Sequence, residues 1–281
     1  RFAFEHQPDI QSPFFRKDDG RLAGDWHGMA MGSRIEIIGL TGIPEVAKGD
    51  GPGRLILDAA RRMGMTFDSG DVVVVKQKIV SKAEGRIVAL KDVSPSDLAA
   101  QIAAETDKDP RHVEVVLRES RRIVRMGRGL IISETRHGIV CANAGVDASN
   151  VGVQDAVCLL PTDPDASASR IRASLEKETG ANLAVVISDS IGRPWRKGIV
   201  DKAIGVSGLE PVKDYVGQKD DYGYELQVTA VAIADELASA AELVTGKLER
   251  VPVAVIKGYS YAKGEGGARG LIMDRDRDLF R

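Results

Sequence analysis

The stretch Gly70-Asp71-Val72-Val73-Val74-Val75-Lys76-Gln77-Lys78-Ile79-Val80-Ser81-Lys82-Ala83-Glu84-Gly85 sets the architecture. Val72–Val75 is a solid apolar run opened by Gly70-Asp71, the mark of a buried β-strand. It empties into a polar, glycine-bearing segment that carries Lys76, Lys78, Ser81 and Lys82. Two further stretches repeat this design. Ile139-Val140-Cys141-Ala142 leads into Asn143-Ala144-Gly145-Val146-Asp147-Ala148-Ser149-Asn150-Val151. Val185-Val186-Ile187-Ser188 leads into Asp189-Ser190-Ile191-Gly192-Arg193-Pro194-Trp195-Arg196-Lys197-Gly198. Loops at strand ends are where rigid scaffolds place reactive groups.

Around these stretches the pattern is mixed. Arg34–Leu40 alternates as a strand, and Arg54–Met63 has helical spacing that stops at Gly64. Ser94-Pro95-Ser96-Asp97 resembles a capping box and predicts a helix to about Thr106. Asp109-Pro110 places a cap before a first-turn proline and predicts a helix to about Arg125. Gly129–Glu134 and Gly138–Ala142 read as a hairpin. Ala156–Leu160 reads as a strand, Ser167–Thr179 as a helix closed by Gly180, and Leu183–Ser188 as a buried strand. An alanine-rich helical stripe spans Gln227–Thr245, and Pro252–Ile256 is a last strand. Strands and helices alternate without a strict βαβ rhythm, which favours an α+β fold over a doubly wound sheet. Residues 1–33 stand apart, with Phe2, Phe4, Phe14, Phe15 and Trp26 in a segment without periodicity. They read either as an arm that packs its aromatics on another surface or as a disordered leader.

Composition narrows the class. The chain has 281 residues, with 39 Lys plus Arg against 41 Asp plus Glu and a net charge of −2. Such a balance excludes general nucleic-acid binding through a basic surface. Aromatics at 5% argue against a stacking platform for single strands. No apolar run approaches a membrane span, and residues 1–33 hold no signal-peptide core. Cys141 and Cys158 lie in apolar runs, as expected of buried thiols in a reducing cytoplasm. His6, His27, His112 and His137 show no metal-ligand spacing.

The three loops suggest chemistry, each with a plainer alternative. The lysines reach phosphate oxygens, or they decorate a solvated strand end. Asp147 binds a hard cation and Asn150 a base, sugar or phosphate, or the two close an Asx-turn. Asp189 and Ser190 offer oxygen ligands to Mg²⁺ or Mn²⁺, or they cap a helix. Arg193 and Arg196 hold a carboxylate or phosphate, or they form a surface basic cluster. Neither a Walker-type phosphate loop nor a strand-to-helix G-x-G-x-x-G occurs, and no nucleophile elbow is found. The residues alone reach a metal- and phosphate-handling enzyme.

Gly42-Ile43-Pro44-Glu45, Gly70–Val75 with Ser81–Gly85, and Asn143–Val151 form an ordered set. It continues with Ser188-Asp189-Ser190, Gly192–Arg196, Ala203–Gly208, Asp235–Ala238 and Gly246-Lys247. In this order the segments resemble the coenzyme F420-0:L-glutamate ligase family, from about Arg34 to the C-terminus. The resemblance implies a GTP-dependent ligase that adds L-glutamate, and in later rounds γ-linked glutamates, to coenzyme F420-0 through an acyl phosphate. It also implies a homodimeric α+β fold of mixed and antiparallel sheets with flanking helices, two Mg²⁺ or Mn²⁺ sites and help from K⁺. By the same resemblance Asp147, Asp189 and Ser190 are metal ligands, with Gly246 offering its carbonyl. The family more often has Thr where Ser190 stands. Lys82 and Asn150 are GTP contacts, and Gln77 stands where the family often has Ser. Thr41, Gly42, Ile43 and Pro44 form one nucleotide loop. Val244, Thr245, Gly246, Lys247, Leu248, Glu249, Arg250 and Val251 form another. Arg193 and Arg196 are our candidates for substrate anions. The expected domains are the 1–33 extension and a ligase domain over 34–281, which resembles one or two subdomains. Alternatives are a ligase for another flavin- or pterin-like carboxylate and a non-catalytic deazaflavin- or nucleotide-binding protein.

Overall fold

A computed structural model describes residues 34–127 and 129–279. The aromatic segment 1–33 lies outside the described residues. Strand β1 (Glu36–Gly39) is followed by helix α1 (Pro52–Arg62), β2 (Val72–Lys76), α2 (Gln77–Ala83) and β3 (Ile87–Ala89). Then come α3 (Asp97–Thr106), α4 (Pro110–Glu119), β4 (Ser120–Gly127), β5 (Leu130–Thr135), β6 (Val140–Ala142) and β7 (Ala156–Cys158). The chain continues through α5 (Pro164–Thr179), β8 (Ala184–Gly192), β9 (Ile199–Ser207), β10 (Lys213–Asp214) and β11 (Ala230–Val231). It closes with α6 (Ile233–Thr245) and β12 (Val253–Lys257).

Local chemistry explains the helix ends. Ser96 accepts from the Ala99 amide at 3.2 Å and starts α3. Asp109 accepts from the Arg111 amide at 2.8 Å, ahead of Pro110 in the first turn of α4. Gly180, at φ 70°, closes α5 in the left-handed conformation that favours glycine.

Five strands form the central sheet in the order β1-β12-β2-β8-β9. Only β2 and β8 run parallel; the other neighbours in this sheet are antiparallel. The mixed α+β expectation therefore holds. Both faces of the sheet are covered, which is why β2 is apolar at every position from Val72 to Val75. Val73, Val75, Val185 and Ile187 pack with Ile56 of α1 and with Ile171 and Leu175 of α5. The alternate residues Val72, Val74, Ala184 and Val186 pack with Leu237, Ala238 and Ala241 of α6. A third buried cluster joins α3 and α4 to Ile131 and Val157. Helix α6 also shields the edge strand, because the Asp201 amide donates to Glu242 at 3.0 Å and the Ala203 amide to Asp235 at 2.9 Å.

Several local expectations are corrected. The helix predicted to about Arg125 stops at Glu119, and β4 takes over. Pairing with β5, including the Arg122–Glu134 ion pair at 2.7 Å, outweighs local helical spacing there. The lysine segment is the helix α2 rather than a strand-end loop, so Lys78 and Lys82 lie four residues apart on one face. Asp189 and Ser190 sit inside β8, which runs on to Gly192 because β9 pairs with it. The Gln227–Thr245 stripe becomes helix only at Ile233; β11 precedes it.

Candidate active site

The parallel pair brings two chain ends to one place. Lys76, the last residue of β2, stands opposite Ser188 of β8. Open sheets of parallel strands bind ligands beyond the carboxyl ends of those strands. Here β2 turns into α2, while β8 continues through Asp189 and Ser190 to Gly192. The segment after α6 passes the same end, since the Lys76 amide donates to the Pro252 carbonyl at 2.8 Å.

Asp147 is held by backbone and by side chain. Its amide donates to the Cys158 carbonyl at 3.0 Å, and its carbonyl accepts from the Cys158 amide at 2.8 Å. The preceding turn uses left-handed backbone at Asn143, Ala144 and Gly145. A Cβ on Gly145 would lie 2.7 Å from Leu160 Cγ, so glycine fits where a side chain does not. The Asp147 Oδ2 receives Lys78 Nζ at 2.5 Å and the Ser149 hydroxyl at 2.8 Å; Oδ1 receives the Ser149 amide at 2.7 Å. The Asx-turn alternative is thus realised at Asp147, and a lysine is added to it. Burial works against the Asp147 charge, but Lys78 and Ser149 outweigh it and hold the carboxyl below its ordinary value.

Asp189 behaves in the opposite way. Burial pushes its carboxyl up to about 6; the Ser190 amide resists this, while negative charge on Asp201 and Asp147 adds to it. The two aspartates singled out in the sequence therefore feel each other's field. Nearby Cys141 and Cys158 are both free and buried. Burial, reinforced by Asp189, pushes the Cys141 thiol up to about 12, so it carries no reactive thiolate near neutral pH.

Ser190 shows the residue that sequence reading missed. Its hydroxyl donates at 2.7 Å to Asp201, its cross-strand partner on β9. Asp201 is fully buried, receives the Ser188 hydroxyl at 2.9 Å and forms an ion pair with Lys76. Burial opposes the Asp201 charge, but Lys76, Ser190 and Ser188 outweigh it and keep the carboxyl low. With its proton committed to Asp201, the Ser190 oxygen presents lone pairs on its other side. Lys247 donates to that same oxygen. A carboxylate amid the small and apolar residues of Val200–Val206 was the available signal, but its use depends on the β8–β9 register.

The expected nucleotide contacts converge in part. Lys82 is buried at the end of α2 and pairs with Glu45, next to the Thr41–Pro44 loop. Arg62 anchors that loop by donating to the Gly42 carbonyl at 2.8 Å, and the Thr41 amide donates to Met63 Sδ. The turn after Asn150 passes the Lys82–Glu45 pair: a Cβ on Gly152 would be 3.2 Å from Glu45 Oε1 and 3.8 Å from Lys82 Nζ. Ile43 packs against the core. Gln77 is buried, and its carboxamide oxygen accepts from Ser81 at 2.7 Å within α2.

The segment from Val244 to Val251 closes the far side. Gly39 lies against both of its ends, 2.9 Å from Val251 Cγ1 and 3.3 Å from the Val244 carbonyl when measured from its would-be Cβ. Thr245 is buried, and its hydroxyl has no partner among the described residues. Gly246 takes φ 54° and Arg250 φ 57°. Leu248 is exposed, and its amide donates to Glu249 at 2.7 Å, which helps hold the Glu249 carboxyl low. Arg193 and Arg196 lie in the turn after β8. Arg193 makes one long bond, 3.3 Å to the Lys197 carbonyl, and Arg196 is exposed.

Carboxylates, a polarised hydroxyl and lysines at one sheet end can neutralise and align an anionic, metal-chelated ligand. Among the described residues no three His, Cys, Asp or Glu side chains form a metal-ligand set. The donors here are two carboxylates and a hydroxyl, a set suited to Mg²⁺, which binds through one or two carboxylates and keeps waters and substrate phosphates. The raised Asp189 and the ammonium groups of Lys78 and Lys247 against Asp147 and Ser190 fit a position that favours positive charge. Among the described residues no helix is long and apolar enough to cross a membrane.

Residues 41–258 match the family model described as F420-0:Gamma-glutamyl ligase. The chain is 48% identical over 251 residues to the Coenzyme F420:L-glutamate ligase of Methanothermobacter thermautotrophicus, covering 88% of this chain and 99% of the relative. Identity to the ligase of the same name from Methanocaldococcus jannaschii is 46% over 216 residues, covering 76% of this chain and 86% of the relative. For the Archaeoglobus fulgidus ligase it is 39% over 249 residues, covering 88% and 97%.

Proposed function

Because the chain belongs to the F420-0:gamma-glutamyl ligase family, we propose that it joins L-glutamate to coenzyme F420-0 at the expense of GTP. One observation supports this most: Asp147, Asp189, Ser190, Lys78, Lys82 and Lys247 gather at the carboxyl ends of β2 and β8.

A free carboxylate does not acylate an amine near neutral pH, because oxide is a poor leaving group. In the proposed reaction a carboxylate oxygen of F420-0 attacks the γ-phosphorus of GTP, and the bond to GDP breaks. The resulting acyl phosphate is attacked by the α-amine of glutamate; the C–N bond forms, phosphate leaves, and the amine loses a proton to water. Most of the help required is alignment and charge neutralisation. Asp147, Asp189, Ser190 and the Gly246 carbonyl would hold divalent cations, which supply charge neutralisation at the phosphate oxygens. Asp201 keeps the Ser190 hydroxyl oriented with its lone pairs outward. Lys82 and Asn150, with the loops Thr41–Pro44 and Val244–Val251, would line the nucleotide. Cys141 and Cys158 take no part, and no nucleophilic side chain is required.

Homodimer formation belongs to the same reading. Tyr222, Leu243 and Leu248 are large apolar groups left exposed in a single chain. The decisive experiment incubates the protein with F420-0, L-glutamate, GTP and Mn²⁺ and weighs the products. A GTP-dependent glutamyl adduct is expected; its absence overturns the proposal.

A further inference from the structure

Near the acidic site, Arg193, the start of β9 and the first turns of α6 border a shallow, open cavity of about 410 Å³. Arg193, Lys202, Ala232, Asp235, Glu236 and Ser239 line it. Its link to the site is short. Arg193 follows Ser190 by three positions, Lys202 is the cross-strand partner of Asp189, and Ser239 donates at 2.8 Å to the Asp201 carbonyl.

The lining carries both signs of charge on groups with bonding capacity to spare. Arg193 lines the cavity and spends Nη2 on the Lys197 carbonyl at 3.3 Å, and a guanidinium is shaped to take a carboxylate as well. Asp235 spends Oδ1 on the Ala203 amide at 2.9 Å. Lys202 stands 3.9 Å from Asp235 Oδ2, an ion pair beyond hydrogen-bond reach. Glu236 is exposed at the mouth. A nucleotide base or a flavin-like ring would prefer an apolar slot with a few polar groups; this cavity offers two cations and two carboxylates instead.

We infer that this cavity receives the amino-acid co-substrate, a dicarboxylic α-amino acid. Its carboxylates face Arg193 and Lys202, and its ammonium faces Asp235 and Glu236. The inference rests on the ligase reading above and adds where the amino acid is held: on a lining that begins three residues past Ser190 and includes the cross-strand partner of Asp189.

Steady-state kinetics of the full chain test it with Arg193→Gln and Ala232→Leu. The first removes a charge; the second narrows the cavity and keeps every charge. Arg193→Gln is expected to raise KM for L-glutamate by roughly 10- to 100-fold, the worth of one charge-assisted bond, and Ala232→Leu to raise it by crowding the ligand, with KM for GTP little changed in both. Arg193→Gln should also narrow the preference for glutamate over glutamine. Melting curves check that the variants fold, and calorimetric titration with L-glutamate measures binding without turnover. An unchanged KM or unchanged glutamate binding in both folded variants overturns the inference. If the wild-type protein makes no adduct yet loses glutamate binding on Arg193→Gln, the ligase reading fails and the cavity assignment survives.

Discussion

Replacing Asp201 by Asn tests the centre of the site. Asp201 is 0% exposed and is bound by Lys76, Ser188 and Ser190. The amide keeps an acceptor for one serine, but the negative charge is lost, and the Lys76 ammonium remains with its side chain 18% exposed. Breaking a buried ion pair by removing one partner costs about 3–5 kcal/mol. Partial access of water to Lys76 places this case near the lower figure. For a chain of this size each kcal/mol moves Tm by about 2–4 °C, so a fall of roughly 6–12 °C is expected. The double variant Lys76→Met/Asp201→Asn leaves no bare charge and should recover much of the loss. Differential scanning calorimetry near neutral pH measures both. Melting of Asp201→Asn with the wild type, or a double variant no more stable than the single one, would refute the reasoning. A cycle with Ser190→Ala adds a functional reading by Mn²⁺ titration. If Asp201 acts through the Ser190 hydroxyl, its substitution should weaken Mn²⁺ binding only while that hydroxyl is present.

The remaining predictions concern the two aspartates and their loop. Asp189 has a folded-state pKa raised from 3.8 to about 6, so its contribution favours the folded state at low pH and is lost as pH rises through that interval. Asp189→Asn should therefore gain stability relative to wild type across that window while losing glutamylation; a flat difference in melting temperature against pH would count against it. Asp147→Ala should also abolish glutamylation and still fold, because the backbone bonds to Cys158 persist, but melt below wild type because Lys78 loses its partner. Gly145→Ala should cost about 1–3 kcal/mol, since its Cβ meets Leu160 at 2.7 Å with φ at 71°; equal denaturant midpoints would contradict the contact.

What could be read from sequence was what neighbouring residues decide. The valine run of β2, the caps at Ser96 and Asp109, and the left-handed Gly180 all depend on residues within a few positions. Asp147 and Asp189 stood out because carboxylates follow apolar runs. Pairings between distant segments were the hidden part. The β8–β9 register carries Asp189 and Ser190 into a strand and delivers Asp201 beneath them. The Lys78–Asp147 contact requires α2 to pack beside the Asp147 loop, which no local period announces. Helix α4 ended early for the same kind of reason, because β4 finds β5.

The order of strands in the central sheet has a consequence for biosynthesis. Both neighbours of β2, namely β8 and β12, lie far downstream of it in the chain. A nascent chain that has emerged past Val75 therefore holds four valines with both backbone edges unpaired until Ala184–Gly192 arrives. Such an edge is an aggregation hazard, and the pairing that ends it is of long range and slow to close. Lys76, Lys78 and Lys82, directly after the valines, are charges of the kind that flank such strands and disfavour their pairing with other chains. The lysines that pair with Asp201 and Asp147 in the finished site thus stand where a charge opposes aggregation of the unfinished chain.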